Sequence, residues 1–344
     1  MHYLLTGHTG FKGAWLTLLL NHRGHQVSGL SLDVKAGSLF EKAQIQNCLS
    51  ESSLFDIRDF TSVNRFFKSV NPDVVIHLAA QSLVRESYRD PIMTFETNVI
   101  GTLNVLKASQ ELDKLQAQLI VTTDKVYKDL KVDDSYKESD PLGGDDPYSA
   151  SKAMADIATQ SWVKSFENVP TSIARAGNVI GGGDICEDRL IPDLVSSFIN
   201  KSVPQLRYPN AVRPWQHVLD CLNGYLLLVD QMINHAVTGI WNFGPAYSKS
   251  KTVAEVAERS GAIWGTDAPW KQTPGNHPKE SVNLMLDSSK ARERLGWVDK
   301  LSFEESLDWT INWYRNVNQG KSPREETDEN ILRFEGKLGS IDKL

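Results

Sequence analysis

Three glycines at fixed spacing, Gly7-x-x-Gly10-x-x-Gly13, follow an apolar run over residues 2–6 and precede another over 14–20. No other feature constrains the fold as much. A strand that ends in glycines and runs into a helix makes a tight turn whose backbone approaches a ligand closely. The helix N-terminus then points its unpaired N–H groups at an anion such as a pyrophosphate. A purely structural turn would use the same glycines; the strand before and the helix after favour the ligand. Gly7, Thr9, Gly10, Phe11, Lys12 and Gly13 are the candidate dinucleotide cradle. Lys12 pairs with the pyrophosphate or is simply solvated. His8 is bulkier than the small residues such turns often carry, and is expected to crowd the dinucleotide and loosen its binding.

The rest of the first half repeats the strand-then-helix order. Strand patterns run over 26–33, 50–56, 73–79, 119–122 and 171–176, with helical patterns over 13–23, 61–70, 91–112 and 148–166. This alternation predicts an α/β fold with a doubly wound parallel sheet covered on both faces. Ligands of such sheets bind at the carboxyl ends of the strands. Asp33 ends the second strand, where an acid accepts from a ribose 2′-hydroxyl and repels a 2′-phosphate, favouring NAD over NADP; Lys35 blunts that preference. Asp56 and Ile57 end the third strand and suit the adenine edge. Leu78, Ala79 and Ala80 end the fourth and let backbone approach the cofactor, and Thr122 closes the fifth. Short strands are expected near 204–208, 212–217 and 239–243, and helices over 190–199, 220–233, 252–263, 288–295 and 303–318. The reading is a nucleotide-binding domain over 1–177, then a smaller C-terminal α/β substrate lobe over 178–318 from which the chain is free to cross back. A polar, loosely held tail follows over 319–344.

Composition narrows the partners. The 344 residues are 40% hydrophobic and 23% charged, as in globular proteins. A formal charge of −6 with no basic stripe argues against nucleic acid. No apolar run is long enough for a membrane span and no signal segment is visible, so a cytoplasmic protein is expected. Cys48, Cys186 and Cys221 lie far apart, with neither metal-ligand spacing nor a disulfide framework.

The chemistry sits further along. Tyr148 and Lys152 are four apart and share one helix face. A tyrosine ordinarily titrates near 10; a lysine ammonium and a cationic nicotinamide nearby favour the phenolate, a base for hydride transfer from a secondary alcohol. Thr123-Asp124-Lys125 follows the fifth strand and offers more than alcohol oxidation requires. Hydroxyl, carboxyl and ammonium can orient a sugar hydroxyl, protonate a leaving hydroxyl and handle a carbon-bound proton. For that, Lys125 needs desolvation or a neighbouring cation, and Asp124 has to stay protonated; otherwise the two pair as ions and only orient. In the second lobe Arg189, Arg207 and Arg213 suit bidentate binding of a diphosphate, Asn178 donates to the same group, and Tyr208 and Trp215 pack on base or sugar.

Several strings carry a family likeness. They include Gly7-His8-Thr9-Gly10-Phe11-Lys12-Gly13-Ala14-Trp15, His77-Leu78-Ala79-Ala80-Gln81-Ser82, Asp146-Pro147-Tyr148-Ser149-Ala150-Ser151-Lys152, Arg175-Ala176-Gly177-Asn178 and Arg213-Pro214-Trp215-Gln216-His217. Over about residues 1–316 the chain resembles the extended short-chain dehydrogenase/reductase superfamily, and within it the sugar-nucleotide 4,6-dehydratases. Thr123-Asp124-Lys125, in place of the Thr-Asp-Glu typical of dTDP-glucose relatives, points to the CDP-glucose branch. The resemblance implies a Rossmann sheet, NAD, and an internal redox cycle on a nucleotide-sugar substrate. Tyr148 would take the C4 hydroxyl proton, Lys152 would lower the Tyr148 pKa and hold the nicotinamide ribose, and Thr123 would hydrogen-bond the C4 oxygen. Lys125 would remove the C5 proton and Asp124 would protonate the departing C6 hydroxyl. Ser82, Asn178, Arg189, Leu190, Arg207 and Arg213 are the candidate substrate contacts; segment 277–280 matches the family more weakly. Relatives join the helices corresponding to 94–112 and 148–166 into a four-helix dimer bundle, so a homodimer or dimer of dimers is expected. The implied product feeds deoxysugars of a surface glycan such as an O-antigen. The competing readings are a dehydratase of another nucleotide hexose, a 4-epimerase, and a non-enzymatic cofactor-sensing relative. An epimerase needs no acid and base at C5 and C6, so Asp124 and Lys125 count against it. A sensor could dispense with Tyr148 or Lys152.

Overall fold

The computed structural model describes residues 1–129, 135–166, 169–245, 250–266, 269–274 and 285–339. On β1 (His2–Thr6), Tyr3 and Leu5 face one way and Leu4 the other, and all three are buried. A strand buried on both faces needs helices on both. Leu4, with Leu30 and Val75, packs against Val63 and Phe67 of α2 (Phe60–Val70) and Val105 of α4 (Gly101–Gln110). Tyr3, Leu5, Val74 and Ile76 pack in the opposite cluster with α1 (Phe11–His22). Buried residues lie on nearly all sides of α1, as expected of a helix enclosed between the sheet and other helices.

The remaining strands are β2 (Gln26–Ser31), β3 (Glu51–Leu54), β4 (Val74–His77), β5 (Ala117–Val121), β6 (Thr171–Ala176) and β7 (Gly239–Phe243). Among the described residues they form one seven-stranded parallel sheet, ordered β7-β6-β5-β4-β1-β2-β3. Strand order reverses between β1 and β4, which opens a crevice at their carboxyl ends.

Several boundaries differ from the sequence reading. β2 and β3 stop at Ser31 and Leu54, so Asp33 and Asp56 stand past the ladder at the crevice rim. The helix expected over 91–112 runs without a break from Pro91 to Gln110 but is not α-helical throughout. Between Pro91–Phe95 and α4 lies a π turn, Glu96–Ile100, which leaves Asn98 buried. Asn98 Nδ2 donates to the Gln81 carbonyl (3.0 Å) and to Ser151 Oγ (2.8 Å), and its Oδ1 accepts from Gln81 N (2.9 Å). The strand at 239–243 is not part of the second lobe: it pairs with β6 at the sheet edge and brings α6 (Val218–His235) against β5 and β6.

What remains of the lobe is built from short ribbons, Gln205–Leu206 with Lys271–Gln272 and Val212–Pro214 with Ser250–Thr252, plus helices Leu190–Ile199 and Val253–Trp264. Leu194, Phe198, Leu206 and Ala257 form its own small core. Segment 277–280 lies outside the described residues.

The tail is the clearest departure. Residues Pro323–Lys337 form a helix capped by Ser322, whose hydroxyl accepts from Glu325 N at 3.3 Å. Its polar composition hides a narrow apolar seam: Ile331 and Phe334 are fully buried, and Glu335 pairs with Arg23 at 2.9 Å. Among the described residues no helix is long and apolar enough to cross a membrane. Phe334→Ala is expected to lower the unfolding free energy by about 3–5 kcal/mol in a urea titration; a loosely held tail would leave the transition unmoved.

Candidate active site

A single cavity of about 880 Å³ runs along the carboxyl ends of the strands, and every candidate site residue from the sequence lines it. Its first wall is the glycine turn. Gly7 has φ +78°, and a Cβ there would stand 2.8 Å from Ala79 N. A Cβ at Gly13 would stand 2.2 Å from the Gly7 carbonyl oxygen. Both positions therefore require glycine if the turn is to close against β4. Gly10 caps α1 with extended backbone and no side-chain hydrogen bond, which leaves the first N–H groups of the helix facing the cavity. The cradle fits a dinucleotide pyrophosphate.

Asp33 follows β2 at the rim, its carbonyl accepting from Thr9 Oγ1 at 2.7 Å. Asp56 lines the same end with Ile57, but its carboxylate is engaged by Arg58 at 2.7 Å.

His8 does not crowd this cavity. It is fully buried beneath the turn, Nδ1 3.0 Å from Ser31 Oγ and Nε2 2.9 Å from Ser52 Oγ, its ring edge-on to Phe40. Gly29 makes the space, since a Cβ there would meet the ring at 2.2 Å. Lys12 lines the cavity and donates to Tyr225 Oη at 3.2 Å.

The acid–base groups converge at the floor. Thr123 caps a short 3₁₀ turn, Asp124–Val126, and its hydroxyl donates to Asp124 Oδ1 at 2.8 Å. Asp124 is buried, with no partner for Oδ2 among the described residues, and Gly177 leaves room for that oxygen: a Cβ there would stand 3.0 Å away. Burial raises the Asp124 pKa, against opposing pulls from Lys125, Thr123, Arg213 and Lys12. A carboxyl held towards its neutral form with a free oxygen is a proton donor.

Tyr148 and Lys152 project from α5 (Pro147–Phe166), both buried. Lys152 Nζ donates to the Val121 carbonyl at 2.9 Å; burial pulls its pKa down to about 8, while Asp156 holds it up and Lys12 adds to the fall. Burial pushes Tyr148 up to about 12, opposed by a hydrogen bond with Thr123. The expected drop of the Tyr148 pKa is therefore not achieved by the charges of the chain alone.

At the outer end Arg189 bridges Asp184 (2.8 Å) and Ser82 Oγ (3.3 Å), joining two candidates far apart in sequence. Arg207 meets Asp188 at 3.2 Å, and Arg85 meets the same carboxylate at 2.8 Å. Arg213 is buried and donates to the Val212 carbonyl at 2.9 Å; Asn178 and Leu190 line the wall between.

Arg85, Asp184, Asp188 and Asp193 also line the cavity and were missed. Arg85 and Asp188 lie three and one residues from Ser82 and Arg189, so proximity to those candidates was the available signal. Burial raises Asp193 to about 6, with Arg207 opposing.

Comparison with known proteins identifies the relatives of this chain. The family model described as GDP-mannose 4,6 dehydratase matches residues 4–310. The chain is 40% identical over 328 residues to CDP-glucose 4,6-dehydratase of Salmonella typhimurium, covering 92% of this chain and 91% of that protein. It is 28% identical to dTDP-glucose 4,6-dehydratase of Haemophilus influenzae, over 91% of this chain and 98% of the relative. Among solved structures, the dTDP-glucose 4,6-dehydratase of Streptomyces venezuelae with NAD bound superposes with TM-score 0.82 at 26% identity, covering 94% of this chain and all of that one. A UDP-glucose 4-epimerase of Thermotoga maritima shares the fold at TM-score 0.82 and 23% identity, covering 92% of this chain and 99% of that one.

The buried His8 makes a pH prediction. Burial lowers its pKa from 6.5 to about 4 against a backbone hydrogen bond with Leu30 that resists. Between those values the unfolded chain binds a proton that the folded chain does not, so stability falls as pH drops through that window. In His8→Gln the protons taken up on unfolding between those pH values are expected to decrease by about one, giving a shallower slope of unfolding free energy against pH. An unchanged slope would mean that His8 is charged in the fold.

Proposed function

This chain belongs to the GDP-mannose 4,6-dehydratase family, and we propose that it converts CDP-glucose to CDP-4-keto-6-deoxyglucose and water. It is a nucleotide-sugar 4,6-dehydratase, a hydro-lyase of the extended short-chain dehydrogenase/reductase fold, and its cofactor is NAD. NAD, held by the glycine turn, would supply reversible two-electron redox chemistry, so that no net reductant is consumed.

The groups of the chain divide the proton work. Tyr148 accepts the C4 hydroxyl proton, with Thr123 on the same oxygen. Tyr148 starts near 12, with Arg189 the cation of this chain that pulls it down; the further drop we assign to Lys152, fixed on the Val121 carbonyl, and to the bound cofactor. The resulting ketone acidifies C5–H, which Lys125 removes and then returns to C5 as C6 is reduced. Asp124 delivers its proton to the departing C6 hydroxyl. Arg189, Arg207 and Arg213, with Ser82, Asn178 and Leu190, hold the nucleotide diphosphate end. The observation that carries the dehydratase reading is Asp124: a buried carboxyl, biased neutral, taking a hydrogen bond from Thr123 on one oxygen and with the other unpartnered among the described residues. Moving hydride at C4 alone would need no such acid.

Assembly follows from the helices that carry these groups. Ile92 and Ile100 near the π turn, and Met154 and Ile157 on α5, are exposed apolar side chains. Two copies pairing through these faces would cover them as a homodimer. We place the protein in the cytoplasm, where Cys48, Cys186 and Cys221 remain the free thiols seen here.

Two measurements test the reading. Incubation with NAD and a panel of nucleotide hexoses is expected to yield a 4-keto product from CDP-glucose, with deuterium moving from C4 to C6 within one molecule. Epimer alone, or deuterium lost to solvent, overturns the cycle. Asp124→Asn is expected to lower kcat by about 10²–10⁴ while oxidation at C4 persists, seen as reduced nicotinamide accumulating in single turnovers. Equal loss of oxidation and elimination would remove Asp124 from the role of acid.

A further inference from the structure

The outer end of the cleft holds a carboxylate where a phosphate contact is expected. Asp188 lies just before helix Leu190–Ile199, and a single oxygen of it, Oδ1, meets Arg85 Nη1 at 2.8 Å and Arg207 Nη1 at 3.2 Å. Arg85 stands on helix Val84–Arg89 after β4, and Arg207 follows the ribbon strand Gln205–Leu206 of the lobe. The oxygen therefore sits between guanidiniums from the two walls. All three side chains line the cavity and are partly exposed. An oxygen shared between two guanidiniums is also how a phosphoryl oxygen is held. The backbone of Asp188 is fixed on both sides: its N–H donates to the Asp193 carboxylate, and its carbonyl accepts from Arg207 Nη2 at 3.0 Å. It is held at φ +65°, which Asp tolerates better than most residues. Arg207 is thus half anchored on a carbonyl, and only its other arm, with Arg85, is taken up by the carboxylate. A rotation of the Asp188 side chain frees both guanidiniums without moving the chain.

We propose that Asp188 competes with the substrate's diphosphate for Arg85 and Arg207, so that binding exchanges one anion for another at the outer end of the cleft. This rests on the nucleotide-sugar reading above, which gives Arg207 a diphosphate contact; Arg85 joins it as a second. The ion pairs given up offset part of those gained. The carboxylate, tethered beside the site, is at hand to replace a departing diphosphate. Affinity is therefore lower, and release faster, than the two arginines alone would give. A merely architectural clasp between the walls predicts the reverse: without Asp188 the walls part and the ligand is held less well.

The test is ligand binding to the protein saturated with NAD. Dissociation constants and dissociation rates of CDP are measured by calorimetry and stopped flow, with uncharged cytidine as the control ligand. The proteins compared are the unsubstituted chain, Asp188→Asn, Asp188→Gly and Glu187→Gln. Asp188→Asn is expected to bind CDP about five- to tenfold more tightly, the range set by two partly exposed ion pairs. The gain should lie in slower dissociation, with cytidine binding unchanged. Asp188→Gly, which suits the positive φ, should tighten CDP likewise and serves if the Asn variant does not fold. Glu187→Gln removes the same charge from the adjacent exposed residue and should change CDP affinity by less than about twofold. CDP bound no more tightly by the Asp188 variants overturns the proposal, as does equal tightening of cytidine or equal tightening in Glu187→Gln. If the unsubstituted protein binds UDP or dTDP but not CDP, the CDP-glucose reading fails, and the same comparison with that nucleotide decides the role of Asp188. Failure to bind any of the three overturns both.

Discussion

The geometry of the cleft depends on one buried ion pair behind it. Arg175 on β6 donates through Nε and Nη2 to the two oxygens of Asp156 at 2.9 and 2.8 Å, with both side chains shielded from water. Two buried charges are costly unless their geometry is good and their remaining hydrogen-bonding capacity is used. Both conditions hold. Thr122 Oγ1 donates to Asp156 at 3.1 Å, and Arg175 Nη1 donates to Tyr127 Oη at 2.8 Å, which itself donates to Asn242 Oδ1 at 2.7 Å. The network joins α5, the end of β5, β6 and β7. Asp156 stands one turn after Lys152, and Thr122 immediately precedes Thr123 and Asp124, so the pair sets the positions from which all of the acid–base groups project.

Burial is then the main chemical lever. It is the largest influence on Tyr148, Lys152 and Asp124, and it pushes each towards its neutral form. Neutrality suits the acid role proposed for Asp124 but hinders the proton loss proposed for the Tyr148 phenol. Cations oppose burial at two of the three, Arg189 at Tyr148 and Lys125, Arg213 and Lys12 at Asp124, in a chain whose formal charge is −6, while Lys152 is held up by Asp156. Net charge and the field inside a cleft are separate properties, and the second governs the chemistry.

Much of this was legible because backbone constraints leave sequence marks. Gly7 and Gly13 announce a turn too tight for a side chain, and Tyr148 with Lys152 announces a shared helix face. Where the reading failed, direction or partnership was at stake. His8 and Lys12 sit in the turn, but their spacing does not reveal that Gly29 opens a pocket under one or that Tyr225 draws in the other. Arg85 and Asp188 look like ordinary surface charges until the lobe folds over and brings them within 2.8 Å. The helix Pro323–Lys337 was obscured because a seam of few apolar residues, Ile331 and Phe334 among them, is diluted by a solvated face. The π turn left no mark, since one additional residue in a turn does not alter composition.

The contact between that last helix and α1 has a temporal consequence. Arg23, directly after the helix that follows the glycine turn, is held by Glu335, a partner 312 residues downstream. A nascent chain therefore exposes the outer flank of α1 to the crowded environment of the ribosome while the 312 residues up to Glu335 are made. Loop-closure entropy delays so distant a pairing further. The nucleotide cradle is made long before its brace, so the interval between the two is when the apolar flank of this helix is most exposed to misassociation or capture by a chaperone.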